Sequence, residues 1–448
     1  MTNRVTSYIK VGQNKGQARL WLESQRLAAN GFAPGETYRT VLDLDARTLT
    51  LELDLFGDRR VCKRSRKLKS GSVDVPILDL CSAELTEFLG DAERVRVQYT
   101  DGKLTISLHH EDVARIERET RLQRNLSQGV IKTGTLCAGA GISTAALHDG
   151  LSSDGLRPEC SWVVDSDARY LEIADRNNHA ITADTHLFVG TVEEMESDLL
   201  TPVDLLNVSL PCDIHASCGK AKKGLARAED DSSITSVFGL VSLVRSLNPS
   251  IIVSENVVEA ERSSAYAMIR AELKRLGYLI TESILNEQHG GALETRRRYW
   301  FVAVSSGLPA ITFDQFVPEE KRFRTVREIL GGEYTPEFKR YEYLDAKEAR
   351  DIKAGKGFRQ NVITEDAETL GVVGKGYSKV RSTEPRLSGP DGTSRLLSVD
   401  EASRARLIPE HLLGDCSFTI GHEAGGQSIL YGHGTGIGRM IKDGLSDF

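Results

Sequence analysis

The sequence has few of the features that hold small secreted proteins together. Its seven cysteines are scattered along the chain, and no two of them form a Cys-x-x-Cys pair. This distribution argues against a disulfide scaffold and against a structural zinc site, so we expect no metal. Any cysteine with a chemical role is therefore expected to act singly, as a nucleophile.

The sequence also lacks a long apolar run and an excess of positive charge. No stretch approaches the ~20 consecutive apolar residues that a bilayer-spanning helix needs, and the N-terminus has no apolar signal-peptide core. These absences predict a soluble, cytoplasmic protein with no membrane partner. The formal net charge of −7 argues mildly against a nucleic-acid binder. A total can conceal local patches, however, and Lys and Arg cluster at residues 59–69, 220–227, 296–298 and 321–327.

The composition is that of a globular protein, with 40% hydrophobic and 27% charged residues in 448. At ~100–200 residues per domain, this length predicts two or three domains. Residues 1–125 form the first predicted domain, which is rich in β-structure and contains a tandem repeat. The order strand, short helix, hairpin occurs at residues 18–53 and again at residues 75–108, where Asp101-Gly102 is typical of a hairpin turn.

Each repeat alone buries too little surface to be stable, so the two could form one pseudo-twofold domain. Two unrelated β elements are the alternative. The first repeat resembles the swapped-hairpin DNA-binding fold of AbrB and SymE-like proteins.

From residue 131 onward, strands and helices alternate. Strands are predicted at residues 135–137, 161–164, 204–208, 251–253 and 299–304, and helices at residues 143–149, 168–177, 234–245 and 265–276. This alternation predicts an α/β domain with a doubly wound parallel sheet over residues 131–304. Residues 305–394 are irregular, and residues 395–448 return to a helical pattern that we expect to rejoin the α/β domain.

A glycine loop follows the first strand of this domain and opens a helix, at residues 137–141 (Cys-Ala-Gly-Ala-Gly). Glycines at such a place let the backbone approach a ligand at the helix N-terminus, although a plain tight turn is the alternative. Asp165 ends the next strand, where an acidic residue commonly holds the ribose hydroxyls of a nucleoside cofactor.

Reactive side chains stand at the ends of three other strands. Pro211-Cys212 follows one strand, and Glu255 ends another. The carboxyl ends of strands meet above a doubly wound sheet, so this thiol and this carboxylate can meet there. Arg296 and Arg298 precede the strand at residues 299–304, and strand alternation predicts that they share a face.

Taken in order, these elements resemble the DNA (cytosine-5) methyltransferase family. The resemblance continues through residues 395–409 and residues 426–429. It implies a Rossmann-like S-adenosylmethionine-dependent methyltransferase sheet with an inserted target-recognition region at residues 305–394. The implied cofactor is S-adenosyl-L-methionine. The implied partner is double-stranded DNA, bound by a monomer in the simplest case, in a restriction-modification system or mobile element.

The resemblance also implies a role for each site residue. Cys212 would add to carbon 6 of a cytosine flipped out of the duplex, so that carbon 5 accepts a methyl group. Glu255 would supply a proton or hydrogen bond to N3, while Arg296 and Arg298 would hold the base or its phosphate. The residues assigned to cofactor binding are Cys137, Ala138, Gly139, Ala140, Gly141, Asp165, Ser166, Val192, Pro211, Gln427 and Ser428.

Several positions depart from the family pattern. Asp213 and His215 replace the usual Gln and aromatic residue after Pro-Cys, and Cys137 replaces the usual Phe. Glu294 and Gln427 replace a usual Gln and Asn. Three alternatives therefore stay open: a cytosine-5 methyltransferase that acts on RNA, a branch with a modified S-adenosylmethionine donor, and a non-catalytic DNA-binding regulator with a degenerate methyltransferase body.

Overall fold

The computed structural model describes residues 5–44, 46–68, 71–153, 155–211, 232–332, 334–446 and 448. It divides into two compact units, Met1–Ile116 and Glu117–Phe448. The division falls inside a helix, His110–Leu126, whereas the boundary predicted at residue 125 lies at the C-terminal end of that helix. Within the described ranges, no helix combines the length and the apolar character that crossing a bilayer requires.

The first unit is built mainly of β-strands. Its elements are β1 Val5–Lys10, β2 Gly12–Asn14, β3 Gln17–Glu23, α1 Gln25–Ala29, β4 Thr37–Asp43, β5 Thr48–Leu53, β6 Arg59–Arg60, β7 Cys62–Leu68, β8 Gly71–Cys81, α2 Ala83–Leu89, β9 Arg94–Thr100, β10 Lys103–Leu108 and the first part of α3 His110–Leu126. The strands form a six-stranded sheet of order β1-β9-β10-β5-β4-β6 and a four-stranded sheet of order β2-β3-β8-β7.

Strand pairing relates the two halves of this unit by a pseudo-twofold axis. β3 pairs antiparallel with β8 about the Trp21–Asp79 pair, and β5 pairs antiparallel with β10 about the Thr50–Thr105 pair. Each pair joins equivalent positions of the repeat, so each half contributes one central strand to each sheet. The core between the sheets draws its leucines from both halves: Leu20, Leu22, Leu51, Leu78, Leu80 and Leu104.

The second unit is an α/β structure. Its elements are β11 Val130–Leu136, α4 Ile142–Leu151, β12 Arg157–Asp165, α5 Ala168–Asn177, β13 His186–Val189, β14 Leu205–Val208, α6 Ser236–Leu247, β15 Ile251–Asn256, α7 Ser264–Arg275, β16 Tyr278–Leu285, α8 Glu287–Gly290, β17 Arg298–Ser305, α9 Glu342–Lys353, β18 Val362–Ile363, β19 Arg386–Ser388, β20 Ser394–Arg395, α10 Val399–Ala405, α11 Phe418–Gln427 and α12 Tyr431–Gly444.

Seven of these strands form the central sheet, in the order β13-β12-β11-β14-β15-β17-β16. Neighbours from β13 to β15 are parallel, and buried apolar clusters cover both faces of the sheet, which confirms the predicted α/β fold. The expectation of a wholly parallel sheet is wrong for β17, which runs antiparallel to β15 and β16. Only the short helix α8 connects β16 to β17, so the chain turns back instead of crossing over the sheet.

The sequence pattern missed the two edge strands, β13 and β16. β13 has no buried residue, and β16 is buried only at its two ends. Neither strand therefore has the continuous apolar run that reveals a strand buried on both faces.

The irregular region that follows β17 has a small core of its own. It contains α9 and a three-stranded sheet of order β18-β19-β20. Its core also takes in residues from both flanks, such as Leu293 and Ala405. The predicted boundary between residues 394 and 395 accordingly falls inside β20.

The C-terminal helix α12 lies directly on α4. A Cβ added at Gly150 would meet the backbone of Thr435, and one added at Gly438 would meet the backbone of Leu147. Such contact between helix backbones requires glycine, because any larger residue would push the helices apart. The last segment of the chain is therefore part of the layer that covers the central sheet.

Candidate active site

The glycine loop between β11 and α4 makes a tight left-handed turn. Cys137, Gly139 and Gly141 all have positive φ, at 56°, 55° and 71°. The side chain of Asn178, at the end of α5, donates a hydrogen bond to the Gly141 carbonyl at 2.7 Å. A Cβ at Gly141 would collide with this amide, so glycine is required there. The loop is thus held in one shape at the N-terminus of α4.

Asp165 also holds this loop. One of its carboxylate oxygens accepts a hydrogen bond from the Gly139 amide at 2.7 Å, and the other accepts one from the Asp167 amide at 2.9 Å. The residue is half-buried, while the neighbouring Ser166 is exposed. Because each carboxylate oxygen carries more than one lone pair, Asp165 can still accept hydrogen bonds from hydroxyl groups of a ligand.

Cys137 and Val192 contribute apolar surface next to the loop. Val192 is buried in the apolar cluster on this face of the sheet, and Cys137 packs against the same cluster. Burial raises the pKa of the Cys137 thiol to about 12, so this thiol stays protonated at neutral pH.

The predicted nucleophile, Cys212, lies outside the described residues, as do Asp213 and His215. The strand that leads to it, β14, is described, and so is Pro211, which is exposed. The side chain of Asn256, at the end of β15, donates a hydrogen bond to the Leu210 carbonyl at 2.9 Å. The backbone just before Cys212 is therefore fastened to the neighbouring strand.

Glu255, one residue earlier on β15, is buried and only 8% exposed. Its Oε1 lies 2.8 Å from Nε of Arg298, the first residue of β17. Burial raises the pKa of the Glu255 carboxyl, and the nearby charges of Arg298 and Arg296 oppose this increase without cancelling it. The site thus holds a carboxyl group that retains its proton more readily than an exposed glutamate.

Arg296 also acts on Glu255 through its charge, but its guanidinium has other hydrogen-bond partners. β17 begins at Arg298, so Arg296 lies before the strand, and the shared face inferred from strand alternation stays a prediction. The Arg296 side chain is 2% exposed; its guanidinium donates to Glu294 Oε1 at 3.2 Å and to the Gly426 carbonyl at 3.0 Å. Its position ties the segment before β17 to the end of α11.

Glu294 is the centre of a buried ionic group that the sequence reasoning did not identify. It is fully buried and accepts hydrogen bonds from Arg296 and from Nε of Arg406, the latter at 2.5 Å. Arg406 is buried as well and donates to the Val373 carbonyl of the irregular region. In the sequence, Glu294 is an acid two residues before Arg296, and Arg406 is an arginine just after α10. Neither position indicates that the two side chains pair.

Gln427 and Ser428 stand at the C-terminal end of α11. Gln427 Oε1 accepts a hydrogen bond from Lys375 Nζ at 3.0 Å, and Ser428 Oγ donates to the Gly425 carbonyl at 2.7 Å. Lys375 Nζ also lies 5.7 Å from the centre of the Tyr170 ring on α5. One lysine of the irregular region therefore lies between α5 and the end of α11.

Comparison with known proteins identifies relatives of this chain. The family described as C-5 cytosine-specific DNA methylase matches residues 131–418. The type II methyltransferase M1.ScrFI of Lactococcus lactis subsp. cremoris is 22% identical over 248 residues, which cover 54% of this chain and 62% of that protein. M1.BsuMI of Bacillus subtilis (strain 168), also a type II methyltransferase, is 23% identical over 228 residues, which cover 48% and 52%. The alignments thus span little more than half the length of these relatives.

Among solved structures, the S. pombe Dnmt2 methyltransferase resembles this chain with a TM-score of 0.56 and 17% sequence identity. The match covers 70% of this chain and 99% of that one. At this identity the likeness shows the fold, and the fold is that of a methyltransferase.

Removing the Glu294 carboxylate should destabilise the second unit. In Glu294→Ala, two buried guanidinium groups lose their counter-charge, so the free energy of unfolding should fall by roughly 3–5 kcal/mol. Urea denaturation followed by the fluorescence of the buried Trp162 and Trp300 measures this change. The matched control is Glu365→Ala, which breaks an exposed pair with Arg327 and should leave the unfolding midpoint unchanged. Equal effects of the two substitutions would contradict a special role for the buried group.

Proposed function

The chain belongs to the C-5 cytosine-specific DNA methylase family, and we propose on that basis that it methylates carbon 5 of cytosine in DNA. The observation that carries the proposal is the Glu255–Arg298 pair, which presents a buried carboxyl with a raised pKa. This carboxyl stands on the strand that fastens the backbone just before Cys212. A protonated carboxyl in such a position can donate a hydrogen bond to N3 of a cytosine.

The proposed chemistry divides the reaction between a nucleophile and an acid. The Cys212 thiolate adds to carbon 6 of the cytosine, while Glu255 stabilises the charge that develops on the ring through N3. Carbon 5 thereby becomes nucleophilic. After methylation, loss of the proton from carbon 5 and departure of the thiolate restore the aromatic ring. The base must leave the duplex to reach these groups.

The residues around the glycine loop fit S-adenosylmethionine, which supplies an electrophilic methyl group when bound. A Cβ added at Gly139 would meet no atom within 4 Å, so the loop borders open space. The half-buried Asp165 carboxylate lies against the same glycine and is suited to ribose hydroxyls. The residues that would hold the cofactor are Cys137, Ala138, Gly139, Ala140, Gly141, Asp165, Ser166, Val192, Pro211, Gln427 and Ser428.

The two arginines are proposed to have different roles. Arg298, beside Glu255, would hold the flipped base or its phosphate. Arg296 is committed to Glu294 and the Gly426 carbonyl, so it would position the end of α11 near the cofactor. Residues 305–394 would read the DNA sequence. Arg386 would not take part in phosphate binding, because it is 1% exposed and donates to Ser394 Oγ.

Cys212→Ala should abolish methyl transfer, because no other group in the proposed mechanism can add to carbon 6. Transfer of tritium from labelled S-adenosylmethionine to duplex DNA and to transfer RNA measures the activity and separates the two substrate classes. Duplex DNA containing 5-fluorocytosine should form a denaturant-resistant adduct with the wild type but not with Cys212→Ala. Cys218→Ala is the matched control and should still form the adduct. A trapped Cys218, or methylation of transfer RNA alone, would contradict the proposal.

Asp165→Ala should weaken binding of S-adenosylhomocysteine, because the ribose hydroxyls lose a charged acceptor at a cost of roughly 1–3 kcal/mol. Isothermal titration measures the affinity. Asp165→Asn, which retains one carbonyl oxygen for the Gly139 amide, separates ribose binding from loop positioning. Asp184→Ala, at an exposed carboxylate of the same unit, serves as the control. Unchanged affinity in both Asp165 variants would assign ribose binding to another residue.

The pH dependence of methylation should report on Glu255. Activity requires its protonated form, so the rate should fall as pH rises through the raised pKa of this carboxyl. The Arg298 charge lowers that pKa, and Arg298→Gln should therefore move the falling limb of the pH–rate profile to higher pH. Single-turnover rates at saturating DNA measure the profile. In Glu255→Gln the falling limb should disappear; a limb that persists there would assign it to another group.

A further inference from the structure

In the first unit, the β7–β8 hairpin extends beyond the sheet to which it belongs. β8 pairs with β3 only over residues 77–81, whereas it pairs with β7 over residues 71–77. Residues 62–67 and 71–74 are all exposed, although successive side chains of a strand point to opposite faces. This stretch therefore covers no core. We call residues 62–68 and 71–74 the basic ribbon.

The basic ribbon carries four cationic side chains, Lys63, Arg64, Arg66 and Lys67. The first three side chains are 58%, 64% and 57% exposed. Because two of the four point to each face of the ribbon, positive charge is present on both faces. The chain as a whole carries a net charge of −7, so this concentration of cations is local.

Two carboxylates hold three of these four cations in place. Lys63 Nζ lies 2.6 Å from Asp74 across the hairpin. Arg66 Nη2 lies 2.5 Å from Glu23 on β3, and Arg64 lies 3.7 Å from the same carboxylate. A guanidinium has five N–H donors, and the contacts of Arg66 with Glu23 use only its Nε and one Nη. The acids thus orient the arginines and leave donors for a further anion.

We propose that the basic ribbon is a second DNA contact, which binds the phosphate backbone of duplex DNA outside the catalytic unit. A two-stranded ribbon matches the ~12 Å width of the major groove, and Lys and Arg on both of its faces can reach the phosphates of both strands. Contacts to phosphates position a protein on DNA without reading its sequence. The proposal rests on the proposed function only in taking duplex DNA as the substrate.

The test replaces Lys63, Arg64, Arg66 and Lys67 by Gln in the full chain. Fluorescence anisotropy with a labelled duplex gives Kd at a series of KCl concentrations. Each lost phosphate contact lowers the slope of log Kd against log[KCl] by about 0.9, so the slope should fall by about 3 to 4. At ~0.1 M salt, Kd should rise by roughly tenfold or more.

The matched control removes the same number of charges from exposed positions of the same unit outside the ribbon: Arg39→Gln, Arg47→Gln, Arg94→Gln and Lys103→Gln. This control variant should change the slope of log Kd against log[KCl] by less than the roughly 0.9 expected for one phosphate contact. Circular dichroism of both variants establishes that the unit is folded, and Lys67→Gln alone should lower the slope by about 0.9.

Equal weakening in the ribbon variant and the control would show a general effect of charge and overturn the proposal. Wild-type affinity in the ribbon variant would overturn it as well. The anisotropy measurement needs no methyl transfer. An inactive wild type whose binding still depends on the ribbon therefore contradicts only the proposed function, whereas an active wild type with ribbon-independent binding contradicts only the ribbon proposal.

Discussion

The second unit depends on one buried carboxylate shared between two arginines. Glu294 receives both guanidinium groups, and through them it reaches the Gly426 carbonyl at the end of α11 and the Val373 carbonyl of the irregular region. Removing three charges from water costs solvation free energy. Their mutual attraction and hydrogen bonds offset this loss only when every partner is in place. Four segments of the chain, those of Glu294, Arg406, Gly426 and Val373, are thereby brought to one point beside β17.

The sequence predicted the second unit well where a strand is buried on both faces. Such strands appear as continuous apolar runs, and the predicted strands that form the centre of the sheet were all found. The edge strands β13 and β16 escaped because their partial exposure interrupts the apolar pattern. The antiparallel direction of β17 was also missed, because strand direction follows from the connection before the strand and leaves no mark in its composition.

Within the candidate site, the sequence predicted the positions of residues on their strands better than it predicted their surroundings. Asp165 and Glu255 lie at the strand ends predicted for them, and Asp165 proves also to anchor the glycine loop. The residues that surround Arg296 were not predicted: its partner Glu294 also binds Arg406, which is more than a hundred residues away in sequence. Motif spacing cannot reveal such a pairing, because it carries no information about which distant side chains meet.

The interlocked halves of the first unit have a consequence for its synthesis. β3 of the first half pairs with β8 of the second half, and β5 pairs in the same way with β10. Neither half therefore contains a complete sheet. Bringing such distant segments together closes long loops, and the chain loses this entropy before the packing contacts can stabilise it. The leucines of the first half therefore lack part of their covering surface until the second half has been synthesised. A chain truncated before β10 would leave β5 without its central partner and part of the core uncovered, and exposed apolar surface of this kind favours aggregation.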